Sequence, residues 1–183
     1  MKRPNYLLVL LFPLLFIACT GNEKTEQEKE TTLIKNASSV VIKSFSNLTK
    51  LDTFRLNLSG TKPKEMTLTF SITNYKGQEI YSKVLKGEEL LGSTDPNVDL
   101  RKEKDQIRFL TTIASQFFNE DNFLEPAVMP DDKPDSYAPD KAFYDELKAT
   151  KLNGFKYRLG KENNIYIAWS EKEQKVKVYY NCC

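Results

Sequence analysis

The chain has 183 residues, with 27 basic and 25 acidic side chains and no histidine. Lys2 and Arg3 are the only charged residues before Cys19, so the remainder carries 25 basic and 25 acidic side chains. A charge-neutral body lacks the basic footprint of a nucleic-acid-binding protein, and the missing histidine excludes Ser-His-Asp and Cys-His catalytic sites and histidine-based zinc sites.

The first 18 residues have the composition of a secretory signal. A positive start is followed by residues 6–18, which carry no charge and are mostly Leu, Val, Ile or Phe. This stretch is shorter than the roughly 20 apolar residues that a membrane-spanning helix needs. Pro13 also interrupts it. We therefore expect residues 1–18 to be removed.

The residues Phe16-Ile17-Ala18-Cys19 resemble the lipobox of bacterial lipoproteins, in which a small residue precedes an obligatory cysteine. The resemblance covers the first 19 residues alone. It implies cleavage after Ala18, a diacylglyceryl group on the Cys19 sulfur and acylation of the new N-terminus, with palmitate as a typical chain. The Lys-rich composition favours a source of the Bacteroidota type. A lipid-anchored position in the cell envelope, at the outer membrane, follows as an expectation, since several acyl chains bind a bilayer far more strongly than one.

Residues 20–32 contain no apolar side chain and predict a solvated tether that starts at the lipidated Cys19. The domain organisation that follows is a signal at 1–18, lipidated cysteine and tether at 19–32, and a single α+β domain at 33–183. The start of that domain has two interpretations. Val41, Phe45 and Leu48 fit one face of a helix, whereas Val40-Val41-Ile42 fits a short buried strand.

From residue 53 onward the periodicity predicts defined elements. Apolar and polar residues alternate over 54–59, and again over 66–85 on both sides of a turn at 74–77, which predicts a hairpin. A helix is predicted near 100–118, where Ile107, Leu110, Ile113 and Phe117 share a face. An Asp- and Pro-rich loop, a short helix over 140–149, and alternating strands near 155–159, 165–169 and 176–180 complete the chain.

The order of strands, helices and strands predicts an α+β fold. We expect one antiparallel sheet of about five to six strands, with one long and one short helix packed on one face.

Several residue groups are candidates for chemistry. Asp131, Asp132, Asp135 and Asp140 could supply oxygen ligands to calcium, but their spacing is not that of a calcium-binding loop, and aspartate also favours turns and helix starts. We therefore assign no metal and no cofactor.

The terminal pair Cys182-Cys183 could bridge to a second chain or bind a soft metal ion. Tyr166, Tyr179 and Trp169 could form a sugar-stacking platform, although Trp169 falls in register with Ile165 and Ile167, which predicts a core position.

These observations favour a membrane-anchored envelope lipoprotein that acts as a non-catalytic binding module, with an envelope protein as its partner. No catalytic residue is assigned. One alternative is a carboxylate-based or carbohydrate-active envelope enzyme, since two acids at the right separation hydrolyse glycosides. Another is an inhibitor or immunity lipoprotein directed against a hydrolase or toxin.

Overall fold

The computed structural model describes residues 36–94, 97–159 and 163–182. Within these ranges the chain forms eight β-strands and three α-helices. In chain order they are β1 (Asn36–Lys43), β2 (Asp52–Ser59), β3 (Thr67–Thr73), β4 (Glu79–Lys86), α1 (Gly87–Gly92), α2 (Glu103–Gln116), β5 (Phe123–Leu124), α3 (Lys141–Thr150), β6 (Gly154–Arg158), β7 (Asn164–Ser170) and β8 (Lys175–Cys182). The expected signal, lipidated cysteine and tether lie outside the described residues.

The strands form two antiparallel sheets of four strands each. The first sheet has the order β1-β2-β3-β4 and the second the order β5-β6-β7-β8, so each follows the chain as a meander. The mixed α+β class is as predicted, but the prediction of one sheet with five to six strands was wrong. Alternation along a strand shows which side chains face a core, but it carries no information about which sheet the strand joins.

The helices do not share one face, which corrects the second part of that prediction. At the end of α2, the ring of Phe117 lies 5.1 Å from that of Phe70 on the first sheet. By contrast, α3 covers the second sheet on the side of Ser170, whose hydroxyl donates to Glu146 of that helix. Trp169 precedes Ser170 and therefore points to the opposite face, towards the core. The long helix α2 and the short helix α3 therefore do not share one face of a single sheet.

An aromatic cluster joins the two sheets. The Phe155 ring of β6 lies 5.4 Å from Phe54 and 5.2 Å from Phe70, which belong to β2 and β3. Such ring pairs contribute about 0.5–1.5 kcal/mol each beyond the area they bury. The interface between the sheets also contains a hydrogen bond between the hydroxyl groups of Tyr81 and Tyr157, whose oxygens lie 2.6 Å apart.

The predicted hairpin over 66–85 is confirmed by β3 and β4. The four side chains of the predicted core face are fully buried: Met66, Leu68, Phe70 and Ile72. The turn contains Gly77 at φ 83, a backbone conformation that glycine adopts without strain.

The ambiguous segment at the start of the domain is a strand followed by a loop. Val40-Val41-Ile42 lies in β1, and Phe45 is buried, but Leu48 is 51% exposed, so the helical face does not form. Among the described residues, no helix is both long and apolar enough to cross a bilayer.

The short helix α1 was not predicted. It begins at Gly87, directly after β4, where the chain passes close to the backbone of Pro63. A β-carbon placed on Gly87 would lie 2.1 Å from the Pro63 carbonyl oxygen. This close approach explains a glycine at the start of a helix, where a larger residue would otherwise be preferred.

Candidate functional site

Three of the four aspartates considered for calcium binding accept local backbone hydrogen bonds. Asp140 accepts the backbone N–H of Phe143 at 3.0 Å and so caps α3. Asp135 accepts the N–H of Tyr137 and Asp132 that of Met129. The described residues contain no group of three or more His, Cys, Asp or Glu side chains placed to hold a metal ion. These contacts are those expected of turn and cap aspartates.

The other sequence candidates lie on the second sheet. Trp169 is buried in the core, as its register predicted. The ring of Tyr166 contacts both Tyr179, at 6.0 Å, and Tyr180, at 5.3 Å. Tyr179 is itself buried, and its hydroxyl donates to the carbonyl oxygen of Ala127. The aromatic residues therefore pack against one another, and Tyr179 offers no open stacking face.

Cys182 is half-buried at the end of β8, opposite Asn164. Cys183 lies outside the described residues, as does Cys19, so the lipidation site and the terminal pair keep the status of sequence-based predictions.

Among the described residues, Asp52 and Glu146 are the buried carboxylates, and each forms hydrogen bonds in a different part of the fold. Glu146 of α3 accepts the hydroxyl of Ser170 and the backbone N–H of Lys172. Asp52, with no exposed surface, lies at the start of β2 in the first sheet. Both side chains thus hold backbone segments in place, as buried polar groups that accept several hydrogen bonds commonly do.

Asp52 connects two loops at one end of the first sheet. Its Oδ2 accepts the backbone N–H of Ser46 at 2.5 Å, and its Oδ1 accepts the backbone N–H of Tyr75 at 2.8 Å. One carboxylate thereby fixes both the β1–β2 loop and the β3–β4 turn. A third attachment comes from Asn153, whose amide donates to the carbonyl oxygen of Ser44 at 3.1 Å.

Large apolar side chains are exposed around this fixed end of the sheet. Of the ten large hydrophobic residues exposed in the described part of the chain, five lie here, and we call this surface the apolar corner: Val40, Ile42, Leu48, Leu51 and Tyr75. Single exposed hydrophobic residues are normal, whereas a contiguous group marks an interaction surface. The hydrogen bonds that Asp52 accepts hold the loop part of this corner in place.

The apolar corner includes an edge strand. In the described residues β1 pairs with β2 alone, so its other edge has no strand neighbour. Val40 and Ile42 point outward from this strand. The two connecting segments, 47–51 and 74–78, contain Lys50 and Lys76 and no acid. The surface therefore combines exposed apolar side chains, a strand edge and two lysines.

A cleft lies elsewhere, between α2, the end of α1 and the β6–β7 hairpin. Its volume is about 660 Å³, within the range of clefts that hold small molecules. One wall is apolar, with Phe109 and Ile113 from α2 and Leu90 from α1. The opposite wall carries Lys156 and Arg158 from β6. The lining residues that the structure describes include no Asp or Glu.

Tyr157, whose hydroxyl is hydrogen-bonded to that of Tyr81, also lines the cleft. Burial raises the pKa of both hydroxyls, and most strongly that of Tyr157. Both are therefore protonated at neutral pH, and they act as structural hydrogen-bonding groups, not as acids or bases.

Sequence reasoning missed both surfaces. The sequence does contain one indication of the apolar corner. Leu48 and Leu51 are flanked by Asn, Thr and Lys in a segment that has neither helical nor strand periodicity, which is typical of exposed apolar residues in a loop. The sequence contains no indication of the cleft. The cleft forms because the two sheets pack together and place α2 beside β6, and the sequence does not show which strands belong to which sheet.

Searches of protein-family models, of curated proteins and of solved structures found no match to this chain. The fold and the two surfaces therefore carry the functional argument.

Proposed function

We propose that this chain is an envelope lipoprotein, anchored through lipid on Cys19, that binds a partner protein through the apolar corner and catalyses no reaction. The observation that carries the proposal is a group of five exposed apolar side chains, two on the edge strand β1 and three in the adjoining loops, whose backbone the buried Asp52 carboxylate holds at Ser46 and Tyr75. Because an exposed apolar group of this size is unfavourable in water, a partner that covers it gains binding free energy.

The edge of β1 indicates how the partner binds. An extended segment can add to an exposed edge strand through main-chain hydrogen bonds, with alternate side chains supplying specificity. Here Val40 and Ile42 flank that edge and Lys50 and Lys76 lie nearby. We therefore expect a partner segment with apolar residues and a negative charge. An enzyme or toxin that the chain inhibits would fit the same surface.

The carboxylate-enzyme alternative finds less support. It needs two acids on opposite sides of a substrate, whereas the described lining of the cleft supplies lysine and arginine. Asp52 and Glu146 bind backbone groups in separate parts of the fold.

Site-specific photo-crosslinking of the anchored full chain in its native envelope tests the proposal. A crosslinking residue at Ile42 or Leu51 should form one discrete protein adduct. The matched control is Val84, which is 51% exposed and lies on β4, at the opposite edge of the same sheet. Adducts of equal yield from Val84, adducts with lipid, or no adduct from either corner position would each contradict the proposal.

A second measurement tests whether the contact contributes affinity. Leu51→Ser should weaken binding of the crosslinked partner at least about tenfold, because burial of a leucine side chain contributes roughly 1.5–3 kcal/mol. Val84→Ser should leave the affinity unchanged. Equal affinities of the two variants would exclude the apolar corner as the binding surface.

A further inference from the structure

We propose that the cleft is a second binding site, separate from the apolar corner, for a small amphipathic anion. Such a molecule has an apolar body and a single carboxylate, sulfonate or phosphate head. The cleft divides in the same way, with an apolar wall on α2 and a cationic wall on β6.

The apolar wall is formed by side chains that the fold leaves partly uncovered. Phe109 and Ile113 are one helical turn apart on α2, and both are half-buried while lining the cleft. Leu90 and Phe117, which are buried, also line the cleft. An aromatic or aliphatic ligand body would cover the remaining exposed part of this wall.

The opposite wall provides a cation without a carboxylate partner. Lys156 is half-buried, and its ammonium group forms no hydrogen bond or ion pair with the described residues. A partly desolvated charge of this kind is stabilised when an opposite charge binds beside it. Arg158 also lines the cleft.

Amide side chains complete the polar part of the cleft. Gln116 and Asn119, just beyond the apolar wall, line the cleft with side chains that form no hydrogen bond within the described residues. Their N–H groups can donate to an anionic head. With lysine, arginine and amides and no described acid, the cleft favours an anion over a cation.

The probe for a test is 4-phenylbutyrate, a water-soluble anion with an aromatic body, compared with its neutral isostere 4-phenylbutanamide. The full chain is reconstituted in phosphatidylcholine vesicles, and binding is measured by equilibrium dialysis against protein-free vesicles. We expect the anion to bind at least tenfold more tightly than the amide.

Variants assign the effect to the cleft. Lys156→Met removes the charge but keeps an apolar side chain of similar length. It should therefore weaken binding of the anion about tenfold and leave the affinity for the amide unchanged. Ile113→Thr should weaken binding of both probes several-fold. The control Lys141→Met removes an exposed lysine at the start of α3 and should change neither. Unchanged urea midpoints establish that the variants are folded.

The proposal is overturned if 4-phenylbutyrate does not bind, if acid and amide bind equally, or if Lys156→Met binds the acid like the unsubstituted chain. Ile42→Ser, in the apolar corner, should leave probe binding intact. If the cleft does not bind the probe, the proposal that the apolar corner binds a protein is unaffected. If the apolar corner binds no protein, the proposal for the cleft is likewise unaffected.

Discussion

Tyr81 and Tyr157 join the two sheets through hydroxyl oxygens 2.6 Å apart. Tyr81 lies on β4 and Tyr157 on β6, so the hydrogen bond spans the interface between the first and the second sheet. Tyr157→Phe should lower the free energy of unfolding by about 1 kcal/mol at neutral pH, because one partly buried hydrogen bond is lost. Urea unfolding measures the change. Tyr137→Phe, at an exposed tyrosine, is the control and should have little effect.

The same pair predicts sensitivity to alkaline pH. Burial raises the pKa of Tyr157 in the folded chain above the value of about 10 in the unfolded chain. Its stabilising contribution is therefore complete below about pH 10 and is lost as the pH rises towards the folded-state pKa. Between about pH 10 and 11.5, the unfolding free energy of Tyr157→Phe should fall less steeply than that of the unsubstituted chain. Parallel curves would contradict the assignment.

Asp52→Asn tests whether one carboxylate fixes both loops. In the variant, the asparagine side-chain oxygen can still accept one of the two backbone hydrogen bonds. Its NH₂ group would replace the other carboxylate oxygen and would face the backbone N–H of Ser46 or of Tyr75, so two donors would meet. We expect a loss of about 1–3 kcal/mol. Hydrogen exchange should accelerate at the Ser46 and Tyr75 amides far more than in the second sheet. Asp121→Asn, at an exposed site, should change neither quantity.

Gly87→Ala tests the close approach at the start of α1. The new methyl group would meet the Pro63 carbonyl oxygen at 2.1 Å, so the backbone must shift. We expect a loss of about 1–3 kcal/mol. Gly92→Ala, at the end of the same helix, is a matched control because no atom lies within 4 Å of its added β-carbon. Thermal unfolding of the two variants should therefore differ, and equal midpoints would contradict the contact.

Lipid attachment is tested at Cys19. Cys19→Ser should leave the signal uncleaved by the lipoprotein peptidase and should prevent incorporation of labelled palmitate. Because stable anchoring needs the acyl chains, the variant should lose the carbonate-resistant membrane association of the lipidated chain. Cys182→Ser should retain lipid labelling and membrane association. Lipid labelling of Cys19→Ser equal to that of the unsubstituted chain would show that this cysteine is not the anchor.

Local periodicity identified most elements but not their assembly. The alternation at Met66, Leu68, Phe70 and Ile72 correctly predicted a half-buried strand, because the pleat itself places alternate residues on opposite faces. β5 was missed because its two residues are too few to show a period. The division into two sheets was missed because it depends on contacts such as Phe70 with Phe155, which are distant in the chain.

The candidate surfaces were less predictable than the fold. The buried role of Asp52 depends on Tyr75, which lies in a different loop, so no local pattern indicates it. Lys156 resembles any other lysine in an alternating strand, and only the position of α2 beside β6 makes it part of a cleft.

Each of the two sheets is formed by strands that are consecutive in the chain. All hydrogen-bonded partners of the first sheet occur by residue 86, so this sheet can pair its strands as soon as that length has emerged. The partner of its inner rings Phe54 and Phe70 is Phe155, which lies much further along the chain. During that interval the half-finished chain presents an aromatic surface and a free strand edge, the combination most prone to aggregation. We therefore expect the nascent chain to depend on chaperones until β6 is complete.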